Sequence, residues 1–176
     1  SITSGGNFNV VVGDEAGTAI TTGDNNVAVG YAAGDAITTA TDNTFLGYLA
    51  GSATTDGNHN TGVGSNALAV STGGQNTAVG RDSLAANTSA SFNTAVGRSA
   101  GAALTEGNRN VALGKDALLL DTLGSKSVAI GVSALDAQNF TTATDSFNTA
   151  VGHGAGSAVT TGTHNTLVGG EAGDAL

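Results

Sequence analysis

A glycine closes nearly the same apolar phrase ten times in this 176-residue chain, at Gly13, Gly30, Gly47, Gly64, Gly80, Gly97, Gly114, Gly131, Gly152 and Gly169. The intervals are 17, 17, 17, 16, 17, 17, 17, 21 and 17. A fixed period of this length is the mark of a stacked repeat, in which no unit buries its apolar face alone and neighbours must supply the rest of the core. The unit reads N-[TV]-A-V-G-x-x-A-[GL]-x-A-x-T-T-G-x-x, with columns numbered one to seventeen from the Asn. Residues 9-176 form the repeat domain, residues 1-8 are a lead-in, and the long interval places a four-residue insertion within 136-147.

Each of the first twelve columns is sampled ten times, so its physical demand can be read within the one chain. Column two is always Thr or Val and column four always Val, Leu or Ile, with a mostly small residue between them. This alternation predicts a short strand, two side chains on one face and one on the other. If columns two and four fill the coil, then Phe45 and Leu167, large residues in column three, either meet another chain or pack beneath their own turns. Column one is Asn at Asn9, Asn26, Asn43, Asn60, Asn76, Asn93, Asn110, Asn148 and Asn165, and Ser127 in the remaining copy. Stacked asparagines can satisfy their amides from coil to coil, which predicts a buried structural ladder with a weaker rung at Ser127.

A compensation links columns nine and twelve. Gly in column nine goes with Ile20, Ile37, Thr54, Leu104, Val159 or Leu176 in column twelve, whereas Leu68, Leu84, Leu118 and Leu135 go with Ser71, Asn87, Asp121 and Gln138. Two positions three apart face the same way on a helix, so the pair is expected to share one volume in a short helical turn or tight curl over the strand. Gly, Asn and Asp in columns fifteen to seventeen mark the turn into the next unit. The predicted fold is therefore an all-β repeat protein, a parallel β-solenoid with short helical turns and ten coils of about 17 residues. At ~4.8 Å per coil it makes a rod about 48 Å long.

Composition fits a thin core. The chain has 28 Gly and seven aromatics, and lacks Pro, Cys, Met and Trp. Without cysteine there is no disulfide, thiolate metal site or thiol nucleophile. A net charge of -9 disfavours nucleic acid and anionic membranes, and no apolar run is long enough to insert into a bilayer. The start, Ser1-Ile2-Thr3-Ser4, carries no signal-peptide pattern, so the chain reads as a segment or mature form.

The phrase Ser127-Val128-Ala129-Ile130-Gly131-Val132-Ser133 and its NTAVGRSAG and NTAVGHGAG relatives resemble the head repeats of YadA-type trimeric autotransporter adhesins. They are more similar still to the 17-residue N-T-A-x-G-x-x-A repeats of phage tail-fibre-like and bacterial surface-fibre proteins. The resemblance runs from Asn9 to Leu176, although YadA-type heads use shorter repeats. It implies a left-handed parallel β-roll, three chains intertwined or side by side as a homotrimer, and an extracellular place on a cell surface or virion fibre. It brings no catalytic residues.

The expected function is accordingly a structural or adhesive module of a fibre, with a cell-surface glycan or protein as receptor and no cofactor or metal. Candidate contact residues are those that break the pattern at exposed columns: Tyr31, Tyr48, Arg81, Arg98 and Lys115 in column six, and Asn139 and Phe140 in the insertion. Stacked cations about 5 Å apart repel by only roughly 0.8 kcal/mol in water, and Asp82 and Asp116 in column seven can offset them. The tyrosines could stack on sugar rings or on each other. Phe8, Phe92 and Phe147 in column seventeen are expected to seal a coil edge or a subunit seam.

No G-x-S-x-G elbow or carboxylate pair suggests an enzyme. A glycan lyase or hydrolase would need a cation or carboxylate cluster around Arg81 or Arg98. The alternative from another class is an ice-binding β-solenoid using the Thr ladder of column thirteen and the TT pairs, although adjacent Thr residues on a strand point to opposite faces.

Overall fold

The structure is a computed structural model and describes residues 5–175; Leu176 in column twelve and residues 1–4 of the lead-in lie outside the described residues. It is an all-β parallel solenoid. The strands are Val10–Val12 (β1), Val27–Val29 (β2), Thr44–Leu46 (β3), Thr61–Val63 (β4), Thr77–Val79 (β5), Thr94–Val96 (β6), Val111–Leu113 (β7), Gly124–Ser125 (β8), Val128–Ile130 (β9), Thr144–Asp145 (β10), Thr149–Val151 (β11) and Thr166–Val168 (β12). Ten of them form one parallel sheet in chain order, from β1 to β7 and then β9, β11 and β12. Pairing is in register by column: Val27 lies beside Thr44, Ala28 beside Phe45, and Val29 beside Leu46.

The faces are the reverse of the first option raised by the alternation. Column three points inward, with Ala28, Phe45, Ala78, Ala95, Ala112, Ala129 and Ala150 all buried, while columns two and four look out. Phe45 packs beneath its own turns, since its ring reaches to where Gly34, Gly51 and Gly62 would carry a Cβ.

The interior explains this choice, because each coil holds about one large side chain. The largest buried apolar residues are Ile20, Ile37, Phe45, Leu68, Leu84, Leu104, Leu118 and Leu135, one from each of the first eight coils. Columns nine and twelve do share a volume: a Cβ on Gly34 would come within 2.8 Å of Ile37 Cδ1, and one on Gly101 within 3.0 Å of Leu104 Cδ1. The third coil has neither option, with Gly51 in column nine and Thr54 in column twelve, and Phe45 in column three fills the space instead. Val at columns two and four would overfill so thin a layer.

The curl over the strand contains no helix among the described residues. It is a pair of successive turns: the column-eight N–H bonds the column-five carbonyl (Ala33 to Gly30, 3.4 Å), and the column-twelve N–H bonds column nine (Ile37 to Gly34, 3.2 Å). A β-turn places residues three apart together as a helix does, which is why the pairing was correct and its helical reading was not. Columns seven, nine and seventeen all adopt left-handed backbone, with Leu68, Leu84, Leu118 and Leu135 at φ of 48–52°.

The asparagine ladder is continuous from Asn9 to Ser127. From Asn9 to Asn110, and again at Asn148, the Asn Oδ1 accepts the backbone N–H of the next coil's column-one residue, as in Asn43 to Asn26 (3.0 Å), Asn93 to Asn76 (3.0 Å) and Asn110 to Asn93 (2.8 Å). Most of the amide groups donate across their own coil to the column-fifteen carbonyl, as Asn26 does to Ala40 (2.8 Å) and Asn110 to Gly124 (2.9 Å). The ladder thus fastens neighbouring coils and closes each coil on itself.

Ser127 does break the ladder, since it has no amide oxygen and the Asn148 N–H reaches only Ser146 Oγ, at 3.5 Å, but Ser127 itself is well held. Its N–H still donates to Asn110 Oδ1 (2.8 Å), and its hydroxyl accepts from Gln138 Nε2 (2.8 Å) and shares a short hydrogen bond with Ser146. Gln138 also donates to buried Asp121 (2.6 Å) and accepts from Asn148 Nδ2 (2.8 Å). Asp121 further receives the N–H groups of Gly124 and Phe140, both at 3.1 Å. The column-twelve polar residues of the seventh and eighth coils therefore merge with the ladder into one satisfied network, and the smaller Ser makes room for Gln138. Ser127→Asn, although it restores the residue of the other nine copies, is expected to destabilise the fold by about 1–3 kcal/mol through overpacking, read from urea unfolding at constant m-value.

The insertion stays close to the stack. Phe140 tucks inward, Thr141, Thr142 and Ala143 are exposed, and β10 then pairs in parallel with β8.

Candidate functional surfaces

Alternation and inward packing of column three leave columns two and four as an outward strip along the rod. Its twenty positions hold fourteen Val, Leu or Ile and six Thr, with no charge. Exposure is highest at the ends, at Val12 (57%) and Val168 (69%), and Leu46, Val96 and Ile130 are also exposed mid-rod. Ten rungs at ~4.8 Å, with the two files ~7 Å apart, give a mainly apolar strip of roughly 340 Å². That is within the range of the largest patch on a lone soluble chain, a patch that is often functional. The strip was legible as alternation, but its direction was not.

Column six carries the next surface. Tyr31 and Tyr48 stack on each other, with centroids 5.5 Å apart and planes 17° from parallel. The Glu15 carboxylate holds the Tyr31 phenol above its ordinary pKa, by accepting its hydrogen bond and by its charge. The three cations are matched by column-seven carboxylates: Arg81 with Asp82 at 2.9 Å, Lys115 with Asp116 at 3.0 Å and Arg98 with Asp116 at 3.7 Å. These exposed pairs contribute little to stability, and because Arg98 and Lys115 share Asp116 they reduce the charge of the file without cancelling it.

The insertion residues separate. Asn139 is exposed and accepts from the Thr122 hydroxyl at 3.2 Å, whereas Phe140 is 5% exposed and offers no ring to a partner.

Column seventeen is a surface that the sequence reading underweighted. Phe8, Phe92 and Phe147 are exposed and do not plug a coil edge. Arg109 lies over the Phe92 ring at 5.3 Å, and Phe147 sits between Lys126 at 4.9 Å and His164 at 5.1 Å. Lys126 is in turn paired with Asp145 at 2.6 Å. The signal was present as one column in which five consecutive copies hold an aromatic or basic residue: Phe92, Arg109, Lys126, Phe147 and His164.

No protein-family profile, curated protein or solved structure matches the chain. The functional reading therefore rests on the geometry and on the repeat resemblance alone.

Proposed function

We propose that this chain is a structural and adhesive module of an extracellular fibre, a left-handed rod that associates as a homotrimer through the outward strip of columns two and four. The observation that carries the reading is that strip: uncharged along the whole rod of a chain with net charge -9, and apolar at fourteen of twenty positions. Burial of such a surface is worth roughly 25 cal/mol per Å². Three identical strips brought parallel to a common axis cover one another rung by rung, Val against Val. The resemblance to trimeric fibre repeats supports three copies over two, and it supports a place on a cell surface or virion.

A cysteine-free chain makes the test clean. Val79→Cys, in column four at mid-rod, is expected to give disulfide-linked dimers on mild oxidation, while Ser89→Cys at the far corner of the coil stays uncrosslinked. Equal cross-linking at both positions, or none at either, would remove the strip as the contact.

One observation favours a second reading, an ice-binding solenoid. The column-thirteen hydroxyls are engaged along the rod, Thr72 to Thr88 O at 2.8 Å and Thr88 to Thr105 O at 3.0 Å, so they are poorly free to order external water. The outward strip instead sets Thr44, Thr61, Thr77, Thr94, Thr149 and Thr166 in one file beside an aliphatic file, a regular two-file array. Thermal hysteresis that vanishes on Thr77→Lys would select this reading. A solution with no hysteresis at millimolar concentration would discard it.

A further inference from the structure

The one shortened repeat leaves a notch. Where the interval is 16, the fourth coil lacks its column-fourteen residue, and Gly73-Gly74 cuts the corner. The cut is flush: a Cβ on Gly74 would lie 2.8 Å from Asn58 O. The coils on either side keep their full corners. The result is an open cavity of about 280 Å³ with Gln75 on its floor, Asp56, Asn58 and His59 on one wall, and Ser91 and Phe92 on the other. The walls belong to the third and fifth coils, so they stand two coil spacings apart, ~10 Å.

Bonds hold each wall in place: Asp56 accepts the hydroxyls of Thr39 at 3.4 Å and Thr55 at 3.3 Å, one on each oxygen, and each oxygen keeps a further lone pair. Asn58 Oδ1 accepts Thr41 N–H at 2.7 Å, which leaves its amide group as a donor. Ser91 Oγ accepts Gly74 N–H at 3.1 Å and keeps its own proton to donate. Arg109, from the sixth coil, covers the side of Phe92 away from the notch at 5.3 Å and braces the ring. The cavity is thus one aromatic face opposite a carboxylate, with amide and hydroxyl groups between.

We propose that this notch is a binding site for a single neutral pyranose ring, as in a terminal sugar of a surface glycan. An aromatic face packs against the C–H side of a sugar while the polar edge bonds elsewhere, and a carboxylate with side-chain amides is the complement of vicinal hydroxyls. The volume is below the usual range for a drug-sized ligand. Acidic sugars are disfavoured by Asp56, and no cation among the described residues lines the cavity; His59 faces Asp42 at 3.7 Å. The site is built within one chain and does not rest on the fibre reading.

Saturation-transfer NMR with the methyl glycosides of glucose, galactose, mannose and N-acetylglucosamine tests it. At least one is expected to receive transfer to its ring protons. The signal is lost in Phe92→Ala and when a Thr inserted between Thr72 and Gly73 refills the notch, and is kept in Phe147→Ala, the same residue type in the same column elsewhere. Far-UV circular dichroism checks that each variant retains the fold. No transfer to any of the four, or transfer undiminished in Phe92→Ala, overturns the proposal. Oligomeric state is unaffected either way, so this failure and that of the fibre reading are separable.

Discussion

Phe45→Ala is expected to cost about 3–5 kcal/mol, among the largest losses any side-chain truncation in this chain can produce. Phe45 is fully buried, and the flanking Gly51 and Thr54 leave nothing else large in its coil to close over the void. The neighbouring coil has adapted to it: Gly62 stands where most copies carry Ala, and a Cβ there would lie 2.9 Å from Phe45 Cδ1. Gly62→Ala alone should therefore destabilise by about 1–3 kcal/mol through overpacking. In the Phe45→Ala background the same methyl enters vacated space, so the double mutant is expected to be more stable than the sum predicts, by about 1 kcal/mol or more. Urea unfolding of the four proteins closes the cycle. Additive losses would show that the two residues do not share a volume.

Gly97→Ala is expected to be as damaging for a different reason. Gly97 has φ of +139°, and an added Cβ would sit 2.4 Å from Gly114 O. Backbone strain and a clash between backbones act together, for an expected cost of about 4 kcal/mol or more. Stability in a stacked array is a sum of unit and nearest-neighbour terms, so the loss should centre on the sixth and seventh coils. Amide exchange should rise first at Val96–Arg98 and Leu113–Lys115, while exchange near Val27–Val29 changes little. Uniform acceleration along the rod would contradict a locally coupled stack.

What the sequence made legible follows from what repetition can report. Recurrence exposed the strand, the Asn ladder and the trade between columns nine and twelve, because each is a demand met again in every coil. It could not decide which strand face is inside. Alternation separates Thr77 and Val79 from Ala78 without saying which side holds the core; the answer lies in volume, since one large side chain per coil is already supplied by Leu68 or Ile37. Thr54 was grouped with the larger column-twelve residues, whereas Phe45 fills that coil from column three. The three-residue spacing suggested a helical turn because helices and β-turns bring such positions together alike.

The departures from the pattern were harder still. Ser127 was legible as a break in the ladder, but its substitute partners were not, because Gln138 and Ser146, which bond to it, lie in other columns. The insertion drew attention as an added feature, yet Phe140 is drawn inward. The missing residue near Gly73 is what opens a cavity. A deletion leaves no residue to single out, and its walls come from two coils that are not adjacent in the stack.

The account turns on the outward strip being a surface where copies of this chain meet. Light scattering after size exclusion measures that most directly, with a double variant Val79→Glu/Val96→Glu as the comparison. The wild-type chain is predicted to run at a mass near three times 16.8 kDa, and the variant to fall to a single-chain mass with its β-structure intact. A clean monomer for the wild-type chain at the same concentrations would contradict the claim.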